Sequence, residues 1–310
     1  MRGAAGLLRL LDGSRDRVQV LAAARDLGMD PELADRVLAL LAAGGALDDV
    51  PVSTDRALPA GLRARLAPEL AAASLAHGDA DGGARTLARR QAACVRVHGA
   101  SRAGLWIAGL LTAEGIGLVI STGPATAQPG QAIPDAPAAP GPSAGQPCTG
   151  IPGLAGRPAA QSARGGHPPR RPSLVILADC HRRELPETLC RDRIPHLCAS
   201  ASEAIGVVGP LVLPGRSACL RCLDLTRAER DPAWPLILAQ LTGRAAADPA
   251  ACDAVLAATV AAQATAQAVA FIDRGPAAVA VIGGTLELVL PGWEWRRRTW
   301  PRHDRCGCRR

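Results

Sequence analysis

Residues 206–222 read Gly206-Val-Val-Gly209-Pro-Leu-Val-Leu-Pro214-Gly215-Arg-Ser-Ala-Cys219-Leu-Arg-Cys222. An apolar strand, Ala204 to Pro214, punctuated by glycines, runs here into a pair of cysteines. Two thiolates three positions apart at a tight turn both reach one tetrahedral ion at about 2.3 Å. That is half a metal site. The other half is Cys306-Gly-Cys308 near the end of the sequence, where glycine lets the backbone bend enough to aim both sulfurs the same way. Four thiolates close the coordination shell, so the four cysteines point to one structural zinc ion. The alternative is a set of ordinary thiols, with the second pair in a fraying tail. An exposed basic tail gives little reason to keep two thiols beside one glycine, although this pair is one residue shorter than the usual C-x-x-C. Cys94, Cys148, Cys180, Cys190, Cys198 and Cys252 have no partner spacing and read as core or surface thiols.

Upstream, Val95 to His98 reads as a short buried strand, followed by a turn at Gly99, a helix over Ala103 to Glu114 and a strand at Leu118 to Ser121. This strand-turn-helix-strand sequence opens a nucleotide-binding fold. Gly99-Ala-Ser-Arg-Ala-Gly104 stands where a G-x-G-x-x-G loop would be, with Ser101 in place of the glycine that lets a phosphate approach the backbone. The helix that follows still offers amide hydrogens and a positive dipole end to a phosphate. Leu174 to Leu177 is wholly apolar and suits a central parallel strand, with Asp179 just beyond its carboxyl end. Ile194 to Cys198 and Ala204 to Pro214 read as a further strand pair, and 250–272 as a long buried helix rather than a membrane span. Strands are expected at Val279 to Ile282 and Thr285 to Leu290. The alternating Trp293-Glu-Trp295-Arg-Arg-Arg-Thr-Trp300 places its tryptophans on one face over the core.

Residues 123–171 carry Pro, Ala and Gly without period and read as a flexible insertion. Residues 1–55 show three short helical blocks, Leu7 to Leu11, Val18 to Leu27 and Pro31 to Ala43, the pattern of a winged-helix-like module, and 56–90 form a helical connector to a main domain over 91–310. The chain is α/β, with a Rossmann-like doubly wound sheet. At 310 residues and 48% hydrophobic content it buries one full α/β core plus a small module. The net charge of +7 does not imply a nucleic-acid partner. The basic excess sits in the last residues, where seven Arg face Glu294 and Asp304, whereas residues 1–60 hold nine acidic groups against seven Arg. No signal peptide stands at the start, and the cysteines fit a cytoplasmic protein with metal ligands rather than disulfides.

The stretch from Gly206 to Cys222 resembles the glycine-rich strand and zinc knuckle of the ThiF/MoeB (ubiquitin-activating-enzyme-like) adenylyltransferases, closest to the actinobacterial ThiF-like group associated with cyclodehydratases of ribosomally made peptides. Ile194-Pro-His196, Arg230-Asp-Pro-Ala-Trp234, Gly284-Thr-Leu-Glu-Leu288 and the Cys-Gly-Cys end fit the same pattern, and the likeness covers about 90–308. The resemblance implies a ThiF-type homodimer that binds ATP and Mg²⁺ and transfers AMP to the C-terminal carboxylate of a small carrier protein or precursor peptide. It places Gly99, Ser101, Arg102 and Gly104 in the phosphate loop, makes Arg102 a cationic catalytic group and makes Asp179 the Mg²⁺ ligand. The N-terminal module resembles the peptide-recognition module that often precedes this domain. The chain departs from the family by having no lysine anywhere and Ser121 and Thr122 where the ribose-binding acid would stand. Arg164, Arg170 or Arg171 would have to supply the missing cation, and an arginine fork does not copy a lysine point charge. A catalytically inactive scaffold that binds a precursor peptide or partner is the alternative.

Overall fold

Capping chemistry sets the first helices, and a computed structural model describes residues 2–49, 60–99, 101–122, 171–178, 183–243 and 251–309. The chain divides after Ala88 into two units. In the first, α1 (Arg2–Arg9), α2 (Arg17–Asp26) and α3 (Pro31–Ala43) precede α4 (Ala60–His77), and α5 (Ala84–Ala92) runs across the divide. Asp16 and Gln19 form a reciprocal capping box at the start of α2, and Asp30 followed by Pro31 opens α3. Leu7, Val20, Ala24, Ala34 and Leu38 meet as a small core. The three expected helices are present. Every regular element described in this unit is helical, so the strands of a wing are not among the described residues.

The second unit is built on β1 (Cys94–His98), β2 (Leu118–Thr122), β3 (Leu174–Leu177), β4 (His196–Ser202), β5 (Ile205–Val212), β6 (Gly284–Val289) and β7 (Glu294–Thr299). They form one sheet in the order β2-β1-β3-β4-β5-β6-β7. The first four are mutually parallel, and β5, β6 and β7 continue antiparallel. A parallel sheet needs crossovers that cover both faces, and the central strand β3 is apolar throughout with all four residues buried. The helices are α6 (Arg102–Ala113), α7 (Glu184–Arg191), α8 (Leu220–Arg230), α9 (Trp234–Gly243) and α10 (Ala254–Arg274). Val95, Val97, Ile176, Leu197 and Val208 pack with α6 and α10 on one face. Val175, Leu177, Cys198 and Val212 pack with α7 and α8 on the other.

Helix α10 is long and apolar enough to cross a membrane by composition, yet it places Leu256, Ala257, Val260, Ala261, Ala264 and Ala268 in the core. Gly206 makes this packing possible. A Cβ there would stand 2.6 Å from Val260 Cγ2 and 3.1 Å from Leu256 Cδ1, so the helix could not sit as close to β5.

Two expectations fail for identifiable reasons. Val279 to Ile282 is not a strand. Gln267 Oε1 accepts from the Ala280 amide at 2.9 Å, the Val281 carbonyl takes the Leu211 amide at 3.0 Å, and Ile282 makes one isolated bridge to Leu211. A side chain and a single bridge thus satisfy backbone that a ladder would otherwise hold. The tryptophans do not share a face either. Trp293 lies in the turn before β7 with φ 53° and is exposed, and Trp295 packs toward the α10 side. Trp300, an odd number of positions further on, is buried on the opposite side against the cysteines. The 123–170 part of the expected insertion lies outside the described residues.

Candidate functional site

The Sγ atom of Cys219 lies 3.8 Å from that of Cys222 and 3.6 Å from that of Cys306, and Cys222 lies 3.5 Å from Cys308. All four sulfurs fall within 4.8 Å of one another. A tetrahedron with arms of about 2.3 Å has edges of about 3.8 Å, so these separations fit one four-coordinate ion and are far too long for disulfides. Cys219 and Cys222 straddle the first turn of α8, and the chain reaches Cys306 through a tight turn in which its amide donates to the His303 carbonyl at 3.0 Å. Several contacts pin the tail in place. Glu229 Oε1 on α8 receives His303 Nε2 at 3.0 Å and Arg305 Nη2 at 2.9 Å, and Arg302 Nη1 donates to the Gly215 carbonyl at 2.8 Å. Trp300 closes the floor. Its indole donates to Thr285 Oγ1 at 2.9 Å, and the Arg227 guanidinium lies between Trp234 and Trp300, 4.6 and 4.9 Å from the ring centres.

The electrostatics of the four thiols ask for a cation. Hydrogen bonding with Cys219, then burial, pushes the Cys222 thiol up to about 12. Burial first, and then hydrogen bonding with Cys222, raises Cys308 as well. Packed sulfurs of this kind hold several negative charges only when a positive ion compensates them.

The second locus is where the strand order turns. Chain direction carries β1 to β2 on one side, whereas β3 pairs on the other, so the carboxyl ends of β1 and β3 form the switch point at which such sheets bind ligands. The Ala178 amide donates to the His98 carbonyl there at 2.7 Å, tying the two ends together. Ser101 is the N-cap of α6. Its Oγ accepts from the Gly104 amide at 3.3 Å and donates to the Ala178 carbonyl at the same distance. A Cβ on Gly104 would meet the Gly99 carbonyl oxygen at 2.8 Å and Ala178 Cβ at 2.9 Å, so this glycine permits the close helix–strand approach expected of it. Gly99 holds φ at 121°, which suits glycine. Arg102 Nη1 donates to the Cys252 carbonyl at 3.3 Å, linking the start of α6 to the segment that leads into α10. Gly99, Ser101, Arg102 and Gly104 are therefore gathered at the switch point.

Asp179, Arg164 and Arg170 lie outside the described residues. Arg171 sits at the amino end of β3 and donates to the Asp192 and Arg193 carbonyls at 2.9 and 3.2 Å, so it cannot supply a cation at the opposite end. Two nearby residues went unnoticed in the sequence. His98 closes β1 directly before Gly99, and burial, followed by the Arg96 charge, lowers its affinity for a proton. Cys190, read as an unpartnered thiol, packs against the cluster that holds Cys219 and lines the same cavity. The signal for His98 was its place before the turn, whereas nothing in spacing marked Cys190.

No protein-family model matches the chain, and no curated protein matches it in sequence. Solved structures do match in fold. The crystal structure of selenomethionine PaaA aligns at a TM-score of 0.58 and 16% identity, over 93% of this chain and 98% of that one. E. coli MccB with ATP aligns at 0.55 and 15%, over 95% and 86%. The microcin C7 biosynthetic enzyme MccB in complex with N-formylated MccA aligns at 0.55 and 14%, over 93% and 85%. The chain has the fold of MccB and PaaA, the ThiF-type fold that the resemblance of residues 206–222 implies.

Proposed function

We propose that this chain is a ThiF-type ATP-dependent adenylyltransferase that activates the C-terminal carboxylate of a precursor peptide or small carrier protein. The observation that carries the proposal is the likeness in fold, over most of both chains, to an enzyme solved with ATP and with a peptide. In the reaction a carboxylate oxygen attacks the α-phosphorus of ATP, the bond to the bridging oxygen breaks, and pyrophosphate leaves with its electron pair. The acyl-adenylate then passes its acyl group to a nucleophile.

The switch point offers residues for this step. The amino end of α6 and Arg102 face the place where phosphates would lie, and Gly99 and Gly104 keep the turn tight enough to admit them. Asp179 is the candidate Mg²⁺ ligand, and a bound Mg²⁺ neutralises charge on the leaving pyrophosphate. The four cysteines hold zinc, which clamps the tail to α8 and takes no part in the chemistry. The working enzyme is a cytoplasmic homodimer.

ATP–pyrophosphate exchange tests the reading with a panel of synthetic peptides bearing free C-terminal carboxylates and amidated counterparts. Exchange that requires the free carboxylate is expected, and absence of exchange across the panel overturns the enzymatic reading. The chain's lack of lysine and the serine at position 101 favour a second reading, a peptide-binding scaffold without adenylation. Peptide binding without exchange would support it.

A further inference from the structure

Three guanidinium groups gather around one tryptophan. Arg227 lies 4.9 Å, Arg298 5.7 Å and Arg230 5.9 Å from the centre of the Trp300 ring. Arg227 also lies 4.6 Å from the centre of the Trp234 ring, so two indoles fix its position. A guanidinium held in this way still has five N–H donors to satisfy. Among the described residues, no hydrogen bond or ion pair engages the guanidinium of Arg227 or of Arg230. The two carboxylates near Arg227 are committed to other donors. Asp224 receives Arg183 at 2.9 and 3.1 Å and the Trp234 indole at 3.3 Å, and Glu287 receives Arg298 at 3.2 Å and the Thr285 hydroxyl at 3.1 Å. Arg183, Arg227, Arg230 and Arg298 thus set four positive charges against the two carboxylates of Asp224 and Glu287.

We propose that Arg227 is the centre of an oxyanion-binding site on the α8 side of the sheet, taking a carboxylate or a phosphate through its planar fork, with Arg230 and Arg298 adding attraction. A half-buried cation short of acceptors is stabilised by an anion that brings them. Burial pulls the Arg227 proton affinity down, and the charges of Arg183 and Arg298 act in the same direction, against Asp224 and Glu287. A bound anion reverses that balance. The site is separate from the switch point, because Trp300 follows edge strand β7, and β4, β5 and β6 lie between β7 and the junction of β1 with β3. A free phosphate and an acidic side chain of a peptide both present paired oxygens to a guanidinium fork, so the recognised chemistry is shared. A stack that served only to brace the two indoles would stabilise the fold and ignore anions.

Full-length protein would be titrated at constant ionic strength with inorganic phosphate, and separately with a short glutamate-rich peptide and its glutamine counterpart. Tryptophan emission reads the binding, since Trp234 and Trp300 flank Arg227. A saturable change is expected with phosphate, with the glutamate peptide or with both, and not with the glutamine counterpart. Saturation by phosphate alone identifies a free oxyanion as the ligand, and saturation by the peptide alone identifies an acidic chain. Arg227→Met should weaken binding at least about tenfold, the worth of a charge-assisted hydrogen bond. Arg230→Gln changes an exposed side chain and should weaken it about twofold to threefold, which keeps the test decisive if the Arg227 variant does not fold. No saturation by either probe up to about 10 mM overturns the proposal. Wild-type affinity in folded Arg227→Met or in Arg230→Gln overturns it as well, and phosphate held only at the switch point would give that result.

Discussion

The sulfurs of Cys219 and Cys306 lie 3.6 Å apart across a sequence separation of 87 residues. That closure joins the start of α8 to the tail and turns two half-sites into one centre. Metal binding free energy at such a site is folding free energy. Wild-type protein should therefore carry one zinc per chain by elemental analysis, and Cys306→Ser combined with Cys308→Ser should lose it. The double variant should also lose at least about 3 kcal/mol of unfolding free energy in denaturant titration. Stoichiometric zinc in the double variant would break the four-ligand assignment.

A second joint lies in the core of the same unit. Arg90, at the end of α5, meets Asp273 of α10 through Nη2 at 2.7 Å and Nε at 3.0 Å, and reaches Glu114 at 2.7 Å. Both Arg90 and Asp273 are buried. Removing one partner strands a buried charge, so Asp273→Asn should cost about 3–5 kcal/mol. Arg90→Met with Asp273→Leu should recover much of the loss, as a double-mutant cycle would read out.

His196 is fully buried, its Nδ1 sits 3.0 Å from the Ile194 carbonyl, and burial lowers its affinity for a proton. Above the ordinary histidine value of 6.5 both folded and unfolded states are neutral there, and the group leaves stability unchanged. Below it the unfolded chain takes up a proton that the fold refuses, so stability declines with falling pH until the depressed folded value is reached. The slope is at most about 1.4 kcal/mol per pH unit for one group. Denaturant titrations between about pH 7.5 and about pH 5.5, each about one unit from that ordinary value, should show a shallower decline in His196→Leu than in wild type. Equal slopes would mean that His196 is not the group responsible.

The closeness of Gly104 to Gly99 and Ala178 makes a sharper test of the switch point. Gly104→Ala pushes a methyl group against the Gly99 carbonyl oxygen, 2.8 Å away. An overpacked contact of this kind costs about 1–3 kcal/mol. It should also weaken nucleotide binding by shifting α6 away from the turn. A variant with wild-type stability would show that the loop relaxes freely.

Much of the architecture was legible because its signals are local. The apolar run Leu174 to Leu177 could only be a buried parallel strand, and the spacing of Cys219 and Cys222 marks a knuckle without knowledge of the fold. Gly99 and Gly104 were legible through the turn they permit. The rest depends on tertiary placement. Val279 to Ile282 reads as a strand until Gln267, from α10, claims the Ala280 amide. Trp300 is the exception, since it stands five positions after Trp295 and alternation alone already puts it on the opposite face, where it is buried against the cysteines. Cys190 is not marked in sequence, because only the packing of α7 beside α8 on one sheet face brings it against the cluster of Cys219. The role of Asp179 rests on the family resemblance alone.

Titration calorimetry of Mg·ATP against the zinc-loaded full-length protein tests the central claim most directly. One saturable site per chain, with affinity reduced at least about tenfold in Gly104→Val, is the result expected of a nucleotide site at the carboxyl ends of β1 and β3. No heat of binding up to millimolar ATP, with zinc present and the fold intact, would contradict it.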